Sequence, residues 1–263
     1  MSAFPTALRL GPLTFHVYGF GLALAAYAAY WYARSRFQRR GIDLQPFARY
    51  AAALVVSGLM GARVAHLATN WSYYSGHPGR WLALWQGGLS SFGGIALALP
   101  VGLLLQRRWW PTTSTSRFSD ALVPALVAGW AIGRVLGPQF MVNGGGHLTQ
   151  QWFGLHYAGQ AGRRVPVPLI QGGEDGLLWL ALVGLERGRL FGRPGLVTGT
   201  AMVVWGVVRA LDEHLLLGQQ SHAGSLGVQV AGLLLALAGG VVLLRSAGAG
   251  NRTESPLLGA NER

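Results

Sequence analysis

Lysine and cysteine are both absent from this 263-residue chain, and charged residues make up only 11% of it. Without cysteine the chain forms no disulfides, no thiolate nucleophile and no cysteine-based zinc site. Soluble domains usually carry about a quarter charged residues, so the scarcity of charge, together with 51% hydrophobic residues, indicates a membrane protein. All 21 basic residues are arginines, and most of them stand between apolar runs. This distribution is typical of membrane-protein loops and argues against nucleic-acid binding.

Seven apolar segments predict transmembrane helices, because a bilayer core of about 30 Å needs roughly 20 apolar residues. The weakest segment is 176–185, which follows Glu174 and Asp175 directly. The other six segments cover 14–33, 50–69, 81–105, 119–138, 195–211 and 224–244. We therefore predict an all-α integral membrane protein with seven transmembrane helices and no cleaved signal sequence.

The distribution of arginine predicts the orientation of these helices. The loops after the first, third and fifth helices and the C-terminal tail hold 14 arginines, whereas the opposite side holds four. Cytoplasmic loops carry the excess of positive charge, so the N-terminus is predicted outside and the C-terminus in the cytoplasm. An irregular loop at about 139–175 then lies on the outer side. We expect a single polytopic domain over 1–250 and a disordered tail over 251–263.

Arg63, Arg134 and Arg209 lie inside predicted helices. An arginine at the bilayer centre costs at least about 2.5 to 3.5 kcal/mol, so each must face protein, water or an anion. All three fall in the outer part of their helices, where a guanidinium is suited to the phosphate of a phospholipid headgroup. For Arg209 an ion pair with Asp212 or Glu213 is the alternative, because residues three and four apart meet on a helix.

The third apolar segment contains the run WQGGLSSFGG, in which four glycines fall within eight residues. Glycines weaken a helix, and in membranes they usually permit close contact between helices. The run therefore predicts either a packing surface or a slot for a lipid or an extended peptide. No serine-hydrolase, zinc-protease or nucleotide-binding motif is present, and the seven histidines show no metal spacing. We expect no metal and no cofactor.

Fragments along nearly the whole chain resemble the prolipoprotein diacylglyceryl transferase family. The opening GPLTFHVYGFGLALA is similar to the first helix of the family, and GARVAHLATNW, YYSGHP and WQGGLSSFGG follow in the order of the family. Gly133-Arg134, WGVVRALDE and SLGVQV resemble the G-R, Y-G-x-x-R-x-x-x-E and M-G-Q motifs of the family. Members transfer the diacylglyceryl group of phosphatidylglycerol to the lipobox cysteine thiol of prolipoproteins and release glycerol phosphate.

The resemblance implies roles for individual residues. Arg134 and Arg209 are expected to act in catalysis by binding the phosphate. Phe92 occupies the position of a family histidine, and because phenylalanine accepts no proton, His147 of the outer loop is the predicted replacement base. The predicted substrate-binding residues are Tyr18, Arg63, Gly87, Gly88, Ser90, Gly93, Gly94, Asn143 and Glu213.

Two functions remain open at this point. The first is a multi-pass transferase of the bacterial inner membrane whose partners are phosphatidylglycerol, the bilayer and a prolipoprotein signal peptide with a lipobox cysteine. The second is a catalytically inactive or re-specialised paralogue that binds phospholipid or lipoprotein precursor. The second is motivated by Phe92 and by Gln171, which stands where the family motif has a glutamate.

Overall fold

The computed structural model describes residues 4–10, 13–83, 88–187, 193–215 and 222–253. Within these residues the fold is all-α apart from one antiparallel hairpin, formed by strands β1 (Ala7–Leu10) and β2 (Leu13–His16). Eight helices follow in this part of the chain: α1 (Val17–Arg39), α2 (Phe47–Thr69), α3 (Trp71–Tyr74), α4 (Ser91–Trp109), α5 (Thr115–Leu136), α6 (Val167–Arg187), α7 (Leu196–Leu215) and α8 (His222–Thr253).

Each of the seven predicted spans overlaps a helix of at least 19 residues, and only the short α3 has no predicted counterpart. Among the described residues, three helical segments are long and apolar enough to cross a membrane, namely Phe47–Thr69, Thr115–Phe140 and Leu226–Gly248. The chain is therefore a multi-pass membrane protein with an all-α fold.

The ends of three elements differ from the sequence prediction. Residues 13–16 form β2, so α1 begins three residues later than predicted. Helix α4 begins at Ser91 rather than near 81, because Gly88 has a φ of +76° and residues 88–90 are not helical. Helix α6 begins at Val167, so the predicted loop at 139–175 ends before that residue. Pro168 suits this first turn because the missing N–H of a proline costs nothing there.

The segment between α5 and α6 lacks helices after residue 140 but contains backbone pairing and a buried side-chain hydrogen bond. Leu148 and Leu155 both pair with Arg164 in isolated β-bridges. Tyr157 is buried, and its hydroxyl donates a hydrogen bond of 2.7 Å to Oε1 of Gln139. Burial raises the pKa of Tyr157 to about 12, so the phenol remains a hydrogen-bond donor at neutral pH.

The chain forms two compact units, of which the first comprises Met1–Arg36 and Ser119–Arg263 and the second Phe37–Phe118. In the first unit, a buried apolar cluster joins α6 to α7 through Leu178, Leu182, Val197 and Ala201. In the second unit, the core is a cluster of aromatic rings whose centroids lie 4.9 to 6.1 Å apart, namely Phe37, Phe47, Tyr50, Trp110 and Phe118. Residues 254–263 of the predicted tail lie outside the described residues.

Candidate functional site

A small cavity lies in the first unit, between α5, α6 and α7. Helix α6 comes close to α5 at this point because Gly172 has no side chain. A Cβ on Gly172 would lie 2.6 Å from Cγ2 of Val135. The lining is strongly charged and consists of Arg134, Gln171, Glu174, Asp175, Trp205, Val208, Arg209 and Asp212.

Arg134 enters the cavity from the end of α5. Its guanidinium lies over the ring of Trp130, one helical turn earlier, at 5.6 Å from the ring centroid. Its Nε is buried and has no hydrogen-bond acceptor among the described residues. A buried donor without an acceptor costs about 1 to 3 kcal/mol, so an anion in the cavity would stabilise this arginine.

Arg209 enters the same cavity from α7. One terminal nitrogen lies 3.6 Å from Asp212 and the other 3.7 Å from Glu213. These ion pairs are longer than hydrogen bonds, and within the described part of the chain the buried NH1 has no hydrogen-bond acceptor. Arg209 therefore forms the ion pairs that its spacing from Asp212 and Glu213 predicts. Its NH1 group can still donate a hydrogen bond to a ligand.

The acids of the cavity differ in their hydrogen bonds. Trp205 donates its indole N–H to Oδ1 of Asp175 at 3.0 Å, and Gln171 donates its amide to Oδ2 of Asp212 at 2.8 Å. Oε2 of Glu174 is buried and has no partner among the described residues. Glu174 and Asp212 line the same cavity.

Tyr18, another predicted site residue of the first unit, is close enough to Arg134 for an electrostatic interaction. His147 and Asn143 belong to the segment between α5 and α6, and neither is a lining residue of the cavity. Asn143 has a φ of +60° and donates its backbone N–H to the carbonyl of Ala158, which indicates a role in shaping that segment.

Arg63 belongs to the second unit and is 5% exposed. Its guanidinium donates hydrogen bonds of 2.6 to 3.0 Å to the carbonyl oxygens of Arg80, Trp81 and Gly88, and it lies 5.3 Å from the ring of Tyr74. This geometry favours a structural role for Arg63, which holds the connection between α2 and α4 in place, over contact with a lipid phosphate.

The glycines before and within α4 form a packing surface against α2. A Cβ on Gly93 would lie 2.3 Å from Cβ of Ala65, and one on Gly94 would lie 3.1 Å from the carbonyl oxygen of Gly58. A Cβ on Gly88 would meet the ring of His66, and Ser90 donates its backbone N–H to Ala62. Of the two interpretations of this run, the structure favours packing. Gly87 lies outside the described residues.

Sequence reasoning did not assign site roles to Gln171, Glu174, Asp175 or Trp205. Their spacing in the sequence could have indicated that they share a site. Gln171 and Asp175 are four residues apart, and Trp205, Arg209 and Asp212 follow one another at four and three residues, so each set lies on one face of a helix. The prediction that 174 and 175 belong to a loop concealed this pattern. No group of three or more histidine, aspartate or glutamate side chains among the described residues is arranged to hold a metal ion.

The family and the relatives that this chain resembles carry the same description. Residues 5–245 match the family described as prolipoprotein diacylglyceryl transferase. Proteins named phosphatidylglycerol–prolipoprotein diacylglyceryl transferase are similar to this chain. The one from Geobacter sulfurreducens is 32% identical over 80% of both chains, and the one from Trichormus variabilis is 27% identical over 89% of this chain and 88% of the relative. The one from Bacillus velezensis is 30% identical over 49% of this chain, which spans about half (47%) of that relative.

Proposed function

Because this chain belongs to the prolipoprotein diacylglyceryl transferase family, we propose that it transfers diacylglyceryl from phosphatidylglycerol to the lipobox cysteine thiol of a prolipoprotein. The observation that supports this proposal most directly is that Arg134 and Arg209 line one cavity. Both arginines have a buried N–H group without a hydrogen-bond acceptor among the described residues. A phosphate ester supplies the negative charge and the acceptor oxygens that such a pair of guanidinium groups lacks.

The proposed reaction is a substitution at a glyceryl carbon. The thiol sulfur forms a bond to the carbon that carries the phosphate, and the bond between that carbon and the ester oxygen breaks. The electron pair leaves on the phosphate as glycerol phosphate. Positive charge at the phosphate lowers the barrier, because negative charge develops on the leaving oxygen in the transition state. In this proposal, Arg134 and Arg209 stabilise the negative charge on the phosphate. Tyr18 contacts the substrate beside them, and Glu213 orients Arg209.

We further propose that all seven long helices cross the bacterial inner membrane, with the N-terminus outside and the C-terminus in the cytoplasm. The arginine excess on one side supports this orientation. Arg134 and Arg209 then lie toward the outer leaflet, where phosphatidylglycerol and an exported prolipoprotein are both accessible. The chain acts as a single polytopic unit in this proposal.

The test is a reaction of the purified protein in mixed micelles with phosphatidylglycerol and a lipobox peptide. Mass spectrometry detects the thioether-linked diacylglyceryl peptide, and a coupled assay detects glycerol phosphate. Arg209→Lys and Arg134→Lys should each lower kcat/KM by about 10²- to 10³-fold, the cost of removing one preorganised charge-stabilising donor.

The matched control is Arg117→Lys, an exposed arginine at the start of the helix that carries Arg134. Its activity should equal that of the unmodified protein. If the unmodified protein forms no thioether but binds phosphatidylglycerol, the proposal is wrong and the non-catalytic lipid-binding function replaces it. The transferase names of the relatives do not favour that second function.

A further inference from the structure

The proposed transfer requires a group that accepts the thiol proton, because the nucleophile is the thiolate and a free cysteine has a pKa of about 8.5. Phe92 offers no acceptor atom, and its side chain is exposed. His147 does not line the cavity that holds the two arginines. The acceptor is therefore to be sought among the groups that line the cavity itself.

Three carboxyl groups line the cavity, and two of them are already held by N–H donors. Asp175 accepts from the indole of Trp205, and Asp212 accepts from the amide of Gln171. Glu174 differs, because its buried Oε2 receives no N–H or hydroxyl group from the described residues. Glu174 is therefore the lining acid with a buried oxygen to which a bound substrate could supply the missing hydrogen-bond donor.

Glu174 and Asp212 both line this cavity. A neighbouring negative charge makes an ionised carboxylate bind a proton more readily. With Asp212 beside it, the ionised carboxylate of Glu174 is therefore a stronger base than an isolated, solvent-exposed glutamate.

We infer that Glu174, which lines the cavity beside Asp212, is the proton acceptor for the attacking thiol. This inference rests on the proposed transfer reaction. The S–H bond breaks as the S–C bond forms, and the proton moves to the carboxylate of Glu174. The carbon–oxygen bond breaks with its electron pair on the phosphate. The proton then passes to glycerol phosphate, whose phosphate monoester has a second pKa of about 6.

The charges around Glu174 come from three helices. Arg134 approaches from α5, Asp175 lies on the same helix as Glu174, and Arg209 and Asp212 approach from α7. Positive charge favours an ionised carboxylate, and neighbouring negative charge favours the bound proton. A phosphate bound to both arginines would reduce their effect, which would strengthen proton uptake when the lipid is in place.

The test compares the pH dependence of kcat for the unmodified protein, Glu174→Gln and Asp212→Asn, with phosphatidylglycerol and a lipobox peptide as substrates. Glu174→Gln should lower kcat near neutral pH by about 10²- to 10⁴-fold, the usual contribution of a general base, and leave the KM for phosphatidylglycerol unchanged. Its remaining activity should rise with pH toward the thiol pKa of about 8.5, because solvent then supplies the thiolate.

Asp212→Asn keeps Glu174 but removes the neighbouring negative charge, so the acid limb of the profile should move to lower pH. Glu174→Asp should recover part of the activity. The matched control is Asp43→Asn, an exposed acid of the second unit. An unmodified protein without activity contradicts the transfer reaction itself. Two results with an active unmodified protein would overturn the inference about Glu174. One is that Glu174→Gln has the same kcat and the same pH profile as the unmodified protein. The other is that His147→Ala removes activity whereas Glu174→Gln does not.

Discussion

Asp120 shows how a single charged residue is accommodated inside this fold. It lies on α5 and is only 3% exposed. Its Oδ2 accepts the backbone N–H of Gly195 at 2.7 Å, and its Oδ1 accepts both the N–H and the hydroxyl of Thr198, at 2.8 and 2.6 Å. These donors belong to the first turn of α7 and the residue before it, where backbone N–H groups have no partner within the helix. Asp120 therefore caps a helix that is distant from it in sequence.

Asp120→Asn should destabilise the protein, because an amide has one acceptor oxygen and no charge. Hydrogen bonds to charged groups contribute about 1.5 to 3 kcal/mol each, and we expect a loss within that range in the free energy of unfolding. Denaturant titration in detergent micelles, followed by tryptophan fluorescence, measures the change. Asp43→Asn, at an exposed acid that accepts one N–H from Gln45, should have a much smaller effect. Equal losses for the two variants would contradict the capping role.

Pairs of helices in this protein meet along glycines. On α7, Gly199 and Gly206 are seven residues apart, and on α8, Gly232 and Gly239 have the same separation, so each pair lies on one face of its helix. A Cβ on Gly232 would lie 2.6 Å from the carbonyl oxygen of Gly206, and one on Gly239 would lie 2.8 Å from that of Gly199. This spacing brings the two backbones into contact, as small residues do in membrane helices.

Gly232→Val should separate α7 from α8 and cost about 1 to 3 kcal/mol, the usual penalty of overpacking. The matched control is Gly240→Val on the same helix, where a Cβ has no heavy atom within 4 Å. Melting temperatures of the two variants in the same detergent provide the comparison. Because both variants introduce the same side chain into α8, differences in helix propensity cancel. A melting temperature for Gly232→Val as high as that of the control would exclude close packing at this position.

At the scale of the whole molecule, the proposed orientation in the membrane rests on arginine alone, because the chain contains no lysine. Seven helices of at least 19 residues are present among the described residues, and if all seven crossed the membrane, the two ends of the chain would lie on opposite sides. The number of spans depends on whether the weakly apolar segment at 176–185 is counted as one of them. In the structure it is part of α6, a continuous helix of 21 residues from Val167 to Arg187.

Reporter fusions test this topology. Fusions after Arg40 and after Arg193 should both report the cytoplasm, and a fusion near Gly145 should report the outer side. The reason is that an even number of spans separates 40 from 193, while an odd number separates either from 145. A fusion after Arg107, in the arginine-rich end of α4, serves as an internal cytoplasmic control. Residues 40 and 193 on opposite faces would contradict the seven-helix model.

The sequence by itself determined the class of protein, the number of long helices and the family. These properties follow from local patterns, because apolar length, arginine placement and short motifs are each contained within a stretch of chain. The same patterns identified Arg134 and Arg209 as intramembrane charges that require a partner. They failed at Glu174 and Asp175, because two acids before a short apolar segment resemble a loop when the start of α6 is unknown.

Tertiary structure decided which charges face each other. The cavity forms where α5, α6 and α7 meet, and the hydrogen bonds from Gln171 to Asp212 and from Trp205 to Asp175 join residues 30 or more positions apart. It also showed that Arg63 donates its hydrogen bonds to backbone carbonyl oxygens. The physical reason is that the state of a buried polar group depends on the donors and acceptors within a few ångströms of it. Those neighbours are set by packing between helices and not by adjacency in the chain.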